Sequence, residues 1–104
     1  MPNKLQQRRL NLLWHGVQLA GNETEGYAEL GGGAARAAGY QDTFGEGEYM
    51  QVFELDIQHL LDEDKAVEID YAHTMHGVGG FVAYRLTPEG RQMLFDEGYP
   101  VTST

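Results

Sequence analysis

Apolar residues recur at helical spacing near the start of the chain. Leu10, Leu13, Trp14, Val17 and Ala20 fall at i, i+3, i+4, i+7 and i+10, a stripe along one face of a helix. Gln6, Gln7, Arg8, Arg9 and Gln18 occupy much of the remaining surface. The pattern predicts an amphipathic helix over residues 5–20, with Asn3 as its cap and Gly21-Asn22 as its stop. Trp14 reads as a core anchor, because an indole buries so much apolar area.

Two periods compete over residues 49–64. Met50, Phe53, Ile57, Leu60 and Leu61 form a helical stripe, whereas Phe53-Glu54-Leu55-Asp56-Ile57-Gln58 alternates strictly, as a half-buried strand does. One resolution is a strand near 49–55 followed by a helix starting at Asp56. The other is one continuous helix, which the Met, Gln, Glu and Leu content favours.

The C-terminal half has a simpler pattern. Val67, Ile69 and Tyr71 alternate with Glu68 and Asp70, predicting a strand with an acidic outer face. Val82, Tyr84 and Leu86 alternate with Ala83 and Arg85, predicting its antiparallel partner. The loop over 74–80 is too long for a two-residue turn and contains Gly77, Gly79 and Gly80. Thr87 then caps a helix with Pro88 at its first position, and Gly98 with Pro100 stops it. Between the two halves, residues 22–47 predict only a short helix over 34–38 with a loop over 41–47, since Gly31-Gly32-Gly33, Gly39, Gly45 and Gly47 interrupt any longer pattern.

Size and charge narrow the range of functions. The 104 residues are enough for one domain with one modest core, divided here into a basic helix (4–20), an acidic Gly-rich middle (21–48) and a helix–hairpin–helix (49–98). There is no cysteine, which excludes a disulfide framework, a thiolate metal site and a thiol nucleophile. No apolar run approaches membrane-spanning length, so a cytoplasmic protein is expected. The net charge is −9, and it is unevenly placed. Residues 1–20 carry Lys4, Arg8 and Arg9 and no acid, while residues 21–70 hold thirteen carboxylates against Arg36 and Lys65. Such a middle repels phosphate and favours basic proteins, unless the acidity serves only solubility or a halophilic setting.

The run Tyr84-Arg85-Leu86-Thr87-Pro88-Glu89-Gly90-Arg91-Gln92-Met93-Leu94 resembles the Tyr-x-Leu-Thr-x-x-Gly-x-x-x-Leu signature of winged-helix regulators of the MarR and PadR types. There it marks the last wing strand entering the next helix, and the resemblance extends over residues 50–98. It implies a small α+β winged-helix-like domain, with helices packed on a two- or three-stranded antiparallel sheet. Leu60-Leu61 would end the recognition helix, Val67 and Ile69 would lie in the first wing strand, and 74–80 would be the wing tip. The sequence departs from the family at Asp64-Lys65, where a Gly often ends the recognition helix. It departs again in the helix itself, which carries Glu54, Asp56, Asp62, Glu63 and Asp64 with Lys65 as its only base. Groove readers approach phosphate with Arg and Lys, so these acids oppose the family's usual role.

Catalytic chemistry is not indicated. His73 and His76 are too few for a metal site unless Asp70 or Glu68 assists, and they read as loop histidines. Gly31-Gly32-Gly33 lacks the lysine of a phosphate loop and reads as a hinge. Neither an enzyme nor a cofactor is expected. Tyr27, Tyr40, Phe44 and Tyr49 flank the acidic, Gly-rich region, where they suit either a protein-binding surface or the end of the core.

Two functions follow. The first is a non-enzymatic protein-binding module, an inhibitor or adaptor docking Glu54, Asp56, Asp62, Glu63, Asp64, Tyr40, Phe44 and Tyr49 on a basic surface that otherwise holds nucleic acid. In size and charge it resembles phage-encoded inhibitors of host defence, anti-CRISPR proteins among them, which work in the host cytoplasm. The alternative is a winged-helix transcription regulator contacting DNA through Lys4, Arg8, Arg9, Arg85 and Arg91. Opposite charge at the two ends also allows a homodimer.

Overall fold

A computed structural model of the chain describes residues 3–20, 26–70 and 84–101. These form a small α+β domain with the order α1 (Lys4–Ala20), β1 (Tyr27–Ala28), α2 (Gly32–Ala37), α3 (Tyr40–Phe44), α4 (Tyr49–Asp62), β2 (Val67–Ile69), β3 (Tyr84–Leu86) and α5 (Pro88–Asp96). The three strands are antiparallel in the order β1-β3-β2. The predicted loop over 74–80, His73, His76 and the stop at Gly21-Asn22 lie outside the described residues.

Helix α1 begins as its sequence directs, with Asn3 Oδ1 accepting from the Gln6 N–H at 2.8 Å. Its buried face is wider than the predicted stripe. Leu12 is fully buried with Leu10 and Leu13, while Trp14 lies half-buried and stacks on Tyr99 with ring centroids 5.7 Å apart. The face widens because the chain crosses closely over Gly16, whose C=O accepts from the Glu29 N–H at 2.8 Å. A Cβ there would lie 2.5 Å from Leu30 Cδ2. Strand β1 follows from that crossing and was not apparent from its two residues alone.

The expected loop over 41–47 is instead helical in its first part. Gly39 takes φ 84°, a left-handed turn that ends α2 and restarts the chain as α3. What anchors α3 is Tyr40, which packs edge-on against Phe53 at 6.0 Å and lies buried beneath it. Residues 49–62 resolve as the continuous helix α4, with Phe53, Asp56, Ile57 and Leu60 inward. A strand would have aligned Leu55 with Phe53 and Ile57; the helix turns Leu55 to solvent and takes Asp56 in.

The segment joining α4 to α5 gives the Thr-x-x-Gly signature a physical meaning. Thr87 Oγ1 accepts from the Gly90 N–H at 3.0 Å and donates to the Lys65 C=O at 2.5 Å. One hydroxyl therefore caps α5 and ties it to the turn after α4. The first turn of α5 rests directly on the main chain at Ala66, and a Cβ on Gly90 would overlap the Ala66 carbonyl. Lys65 itself has φ 53°, the left-handed conformation that a glycine adopts at lower cost. At the other end, Gly98 at φ 87° closes α5 as predicted, with the Tyr99 N–H donating to the Leu94 C=O at 3.0 Å.

Candidate functional site

Three of the residues singled out in the sequence, Arg8, Arg9 and Tyr40, converge on one buried carboxylate. Asp56 on α4 is 1% exposed. Arg8 on α1 grips it with two hydrogen bonds, Nε to Oδ2 at 2.7 Å and Nη2 to Oδ1 at 2.8 Å. Arg9 Nε donates to Oδ1 at 3.2 Å and the Tyr40 hydroxyl to Oδ2 at 2.6 Å. The Arg8 guanidinium also lies 5.1 Å from the centre of the Phe44 ring. Burial alone would push the pKa of the Asp56 carboxyl up, but the bonds from Arg8 and Tyr40 outweigh it and hold the carboxyl below its ordinary range. Burial, and then the Asp56 carboxylate, push the Tyr40 phenol up.

This cluster corrects two expectations. Asp56 and Tyr40 are internal and offer nothing to a partner, since their polar atoms are satisfied within the chain. Arg8 and Arg9, read as DNA contacts, are bound to that same carboxylate. The attraction between basic N-terminus and acidic middle, which suggested a dimer, operates at least in part inside one chain. The helical stripe of α4 held the clue, because Asp56 falls on its buried side three residues after Phe53.

The remaining predicted acids divide by position. Glu54, Asp62 and Glu63 are exposed, and Asp64 is half-buried with Oδ2 3.0 Å from His59 Nδ1. Glu54 and Asp62 share the outer face of α4 with Gln51, Leu55 and Gln58, whose amide donates to Asp62. Leu55 is 70% exposed at the middle of that face, and the helix carries no Arg or Lys. Phe44 and Tyr49 pack half-buried against the core.

A second ion cluster lies on the sheet. Arg85 on β3 donates from Nη2 to Asp70 Oδ2 at 2.8 Å and from Nη1 to Glu68 Oε1 at 3.1 Å. The Tyr27 hydroxyl donates to the same Asp70 oxygen at 2.8 Å. The expected acidic outer face of β2 therefore holds for exposed Glu68 and fails for Asp70, which is buried. Arg85, a third expected DNA contact, is engaged as well. Lys4 is exposed at the start of α1 and Arg91 is half-buried on α5.

Beside β2 runs an open groove of ≈520 Å³ between the C-terminal half of α4 and the first turn of α5. Leu61, Val67 and Ile69 supply its apolar lining, and Asp62, Glu68 and Glu89 its carboxylates. Among the described residues no group of three or more His, Cys, Asp or Glu is placed to hold a metal ion, and no helix is long and apolar enough to cross a membrane. No protein-family model, curated protein or solved structure matches the chain.

Proposed function

We propose that this chain is a non-enzymatic protein-binding module, an inhibitor or adaptor, built on a winged-helix scaffold and docking on a basic partner surface through the outer face of α4. The observation that carries this reading is the disposition of charge. Arg8, Arg9 and Arg85 are held by carboxylates of the same chain, while the α4 face presents Glu54, Leu55 and Asp62 with no base. A duplex would meet carboxylates where it needs cations. A basic protein would meet complementary charge around an exposed leucine, and exposed apolar side chains ringed by polar ones suit such contacts.

A regulator that binds DNA through α4 is the second reading. It is favoured by the element order and by the sheet order β1-β3-β2, which fit a winged-helix plan with α4 in the recognition position.

One comparison separates the two. The full chain and a Glu54→Lys, Leu55→Asp, Asp62→Lys variant are used to capture proteins from the native host and to shift duplex DNA over a salt series. The first reading requires a basic protein held by the parent and lost by the variant, with both folded by circular dichroism. DNA binding by the parent that falls steeply with salt would replace it with the second.

A further inference from the structure

The outer face of α4 runs into the groove beside it. Gln51, Leu55, Gln58 and Asp62 are exposed and follow one another at steps of four, three and four, a single line along the helix. The last two members of that line, Gln58 and Asp62, also line the groove. The docking face and the groove are therefore one continuous surface. Asp62 stands seven residues beyond Leu55, which places the mouth of the groove about 10 Å from the exposed leucine along the helix axis.

The groove suits one long cationic side chain. Val67 is 2% exposed and only closes the floor, but Leu61 and Ile69 are half-buried and keep apolar surface at the walls. Exposed carboxylates border them from three different elements, Asp62 on α4, Glu68 on β2 and Glu89 on α5. Among the described residues Glu89 makes no ion pair, and Glu68 gives Oε1 to Arg85 and keeps Oε2. Lys65 is the single cation of the lining. We infer that the groove receives one arginine side chain of the partner, while Leu55 meets an apolar patch on the same partner surface about 10 Å away. The aliphatic stem of the arginine lies along Leu61 and Ile69, and its head reaches the carboxylates. A guanidinium fits better than an ammonium, because it is weakly hydrated and spreads five donors over acceptors that come from different directions. The inference rests on the proposed basic partner and names the group by which that partner is recognised.

The test uses the full chain, isotope-labelled at amides and methyl groups, and end-capped helical peptides of alanine and glutamine. Each peptide carries a leucine and, seven positions on, an arginine, a lysine or a citrulline. The arginine peptide should shift the methyl signals of Leu61 and Ile69 together with that of Leu55. Citrulline keeps the shape without the charge and should bind about tenfold or more weakly, and lysine should also bind more weakly than arginine. Glu89→Gln should weaken the arginine peptide about threefold, and Lys65→Gln, which removes the opposing cation, should tighten it by about the same factor. Glu89 lies off the α4 face, so docking by that face alone leaves Glu89→Gln without effect. Equal affinity of the arginine peptide and either relative, or indifference to both substitutions, overturns the arginine pocket. Shifts confined to Gln51, Glu54 and Leu55 overturn it while leaving the basic-partner reading standing. If no peptide shifts a groove methyl the pocket fails, and absence of a basic protein in the host capture then overturns the basic-partner reading with it.

Discussion

Arg8 and Asp56, 48 positions apart in sequence, meet through two parallel hydrogen bonds of 2.7 and 2.8 Å that fasten α1 to α4. A guanidinium matches a carboxylate in this forked manner and a lysine does not. The pair is only partly dry, since the Arg8 side chain keeps 29% of its surface in water. Its role is to fix how the two helices meet and to satisfy a carboxylate that α4 carries on its inner face.

Loss of that carboxylate should be costly. Asp56→Asn leaves two arginines facing a neutral group and is expected to destabilise the fold by about 2–4 kcal/mol. Arg8→Lys, which keeps the charge but loses the fork and the Phe44 contact, should cost less, about 1 kcal/mol. Urea unfolding of the three proteins gives the comparison directly. Reversal of Asp56 to Lys should unfold the chain, so tests of the acidic surface must leave this residue alone.

The same pair sets an acid limit. The Asp56 carboxyl is held below its ordinary value of 3.8, so between the two values the unfolded chain binds the extra proton. Stability from this group is complete above about pH 4 and is lost as pH falls through the lowered value. Unfolding followed from pH 5 downward should show a slope that Asp56→Asn reduces, and an unchanged slope would place the acid sensitivity elsewhere.

Gly90 and Thr87 should respond to substitution in different ways. Gly90→Ala drives a methyl into the Ala66 carbonyl, and backbone on both sides leaves little room to yield. A loss of about 2–3 kcal/mol is expected, against about 1–2 kcal/mol for Thr87→Ala, which removes a cap and a tie without any overlap. Thr87→Ser should recover most of the latter. Thermal melts of the three variants would distinguish a steric requirement from a propensity effect, for which Gly90→Ala would be neutral or stabilising.

Lys65 offers the opposite sign. Its φ of 53° costs a side-chain-bearing residue about 1–2 kcal/mol, and glycine avoids that while adding unfolded-state entropy. Lys65→Gly should therefore stabilise the chain by up to about 1 kcal/mol, read as a raised melting temperature. A lower melting temperature would mean that the lysine side chain contributes more than its backbone conformation costs.

Much of the architecture could be read along the chain because it is set by local pattern. The Asn3 cap, the Thr87-Pro88 start of α5 and the alternation through Val67 and Ile69 each act within a few residues, and each appears in the fold. The sequence also left α4 open between two periods, and composition favoured the one observed. Strand β1 and helix α3 were not legible. Two residues of strand and five of helix carry no period, and they exist because α1, β3 and Asp56 bind them.

By itself the sequence determined the amount of charge, the absence of thiol chemistry and the amphipathic elements from which the domain is built. Only the tertiary structure decided which charges remain available to a partner. Asp56 and Asp70 are drawn inward by arginines and tyrosines distant in sequence, whereas Glu54, Asp62 and Glu63 stay in water. The reason is physical. A buried carboxylate is tolerated only where several donors converge on it, and that convergence depends on how helices and strands from opposite ends of the chain pack together.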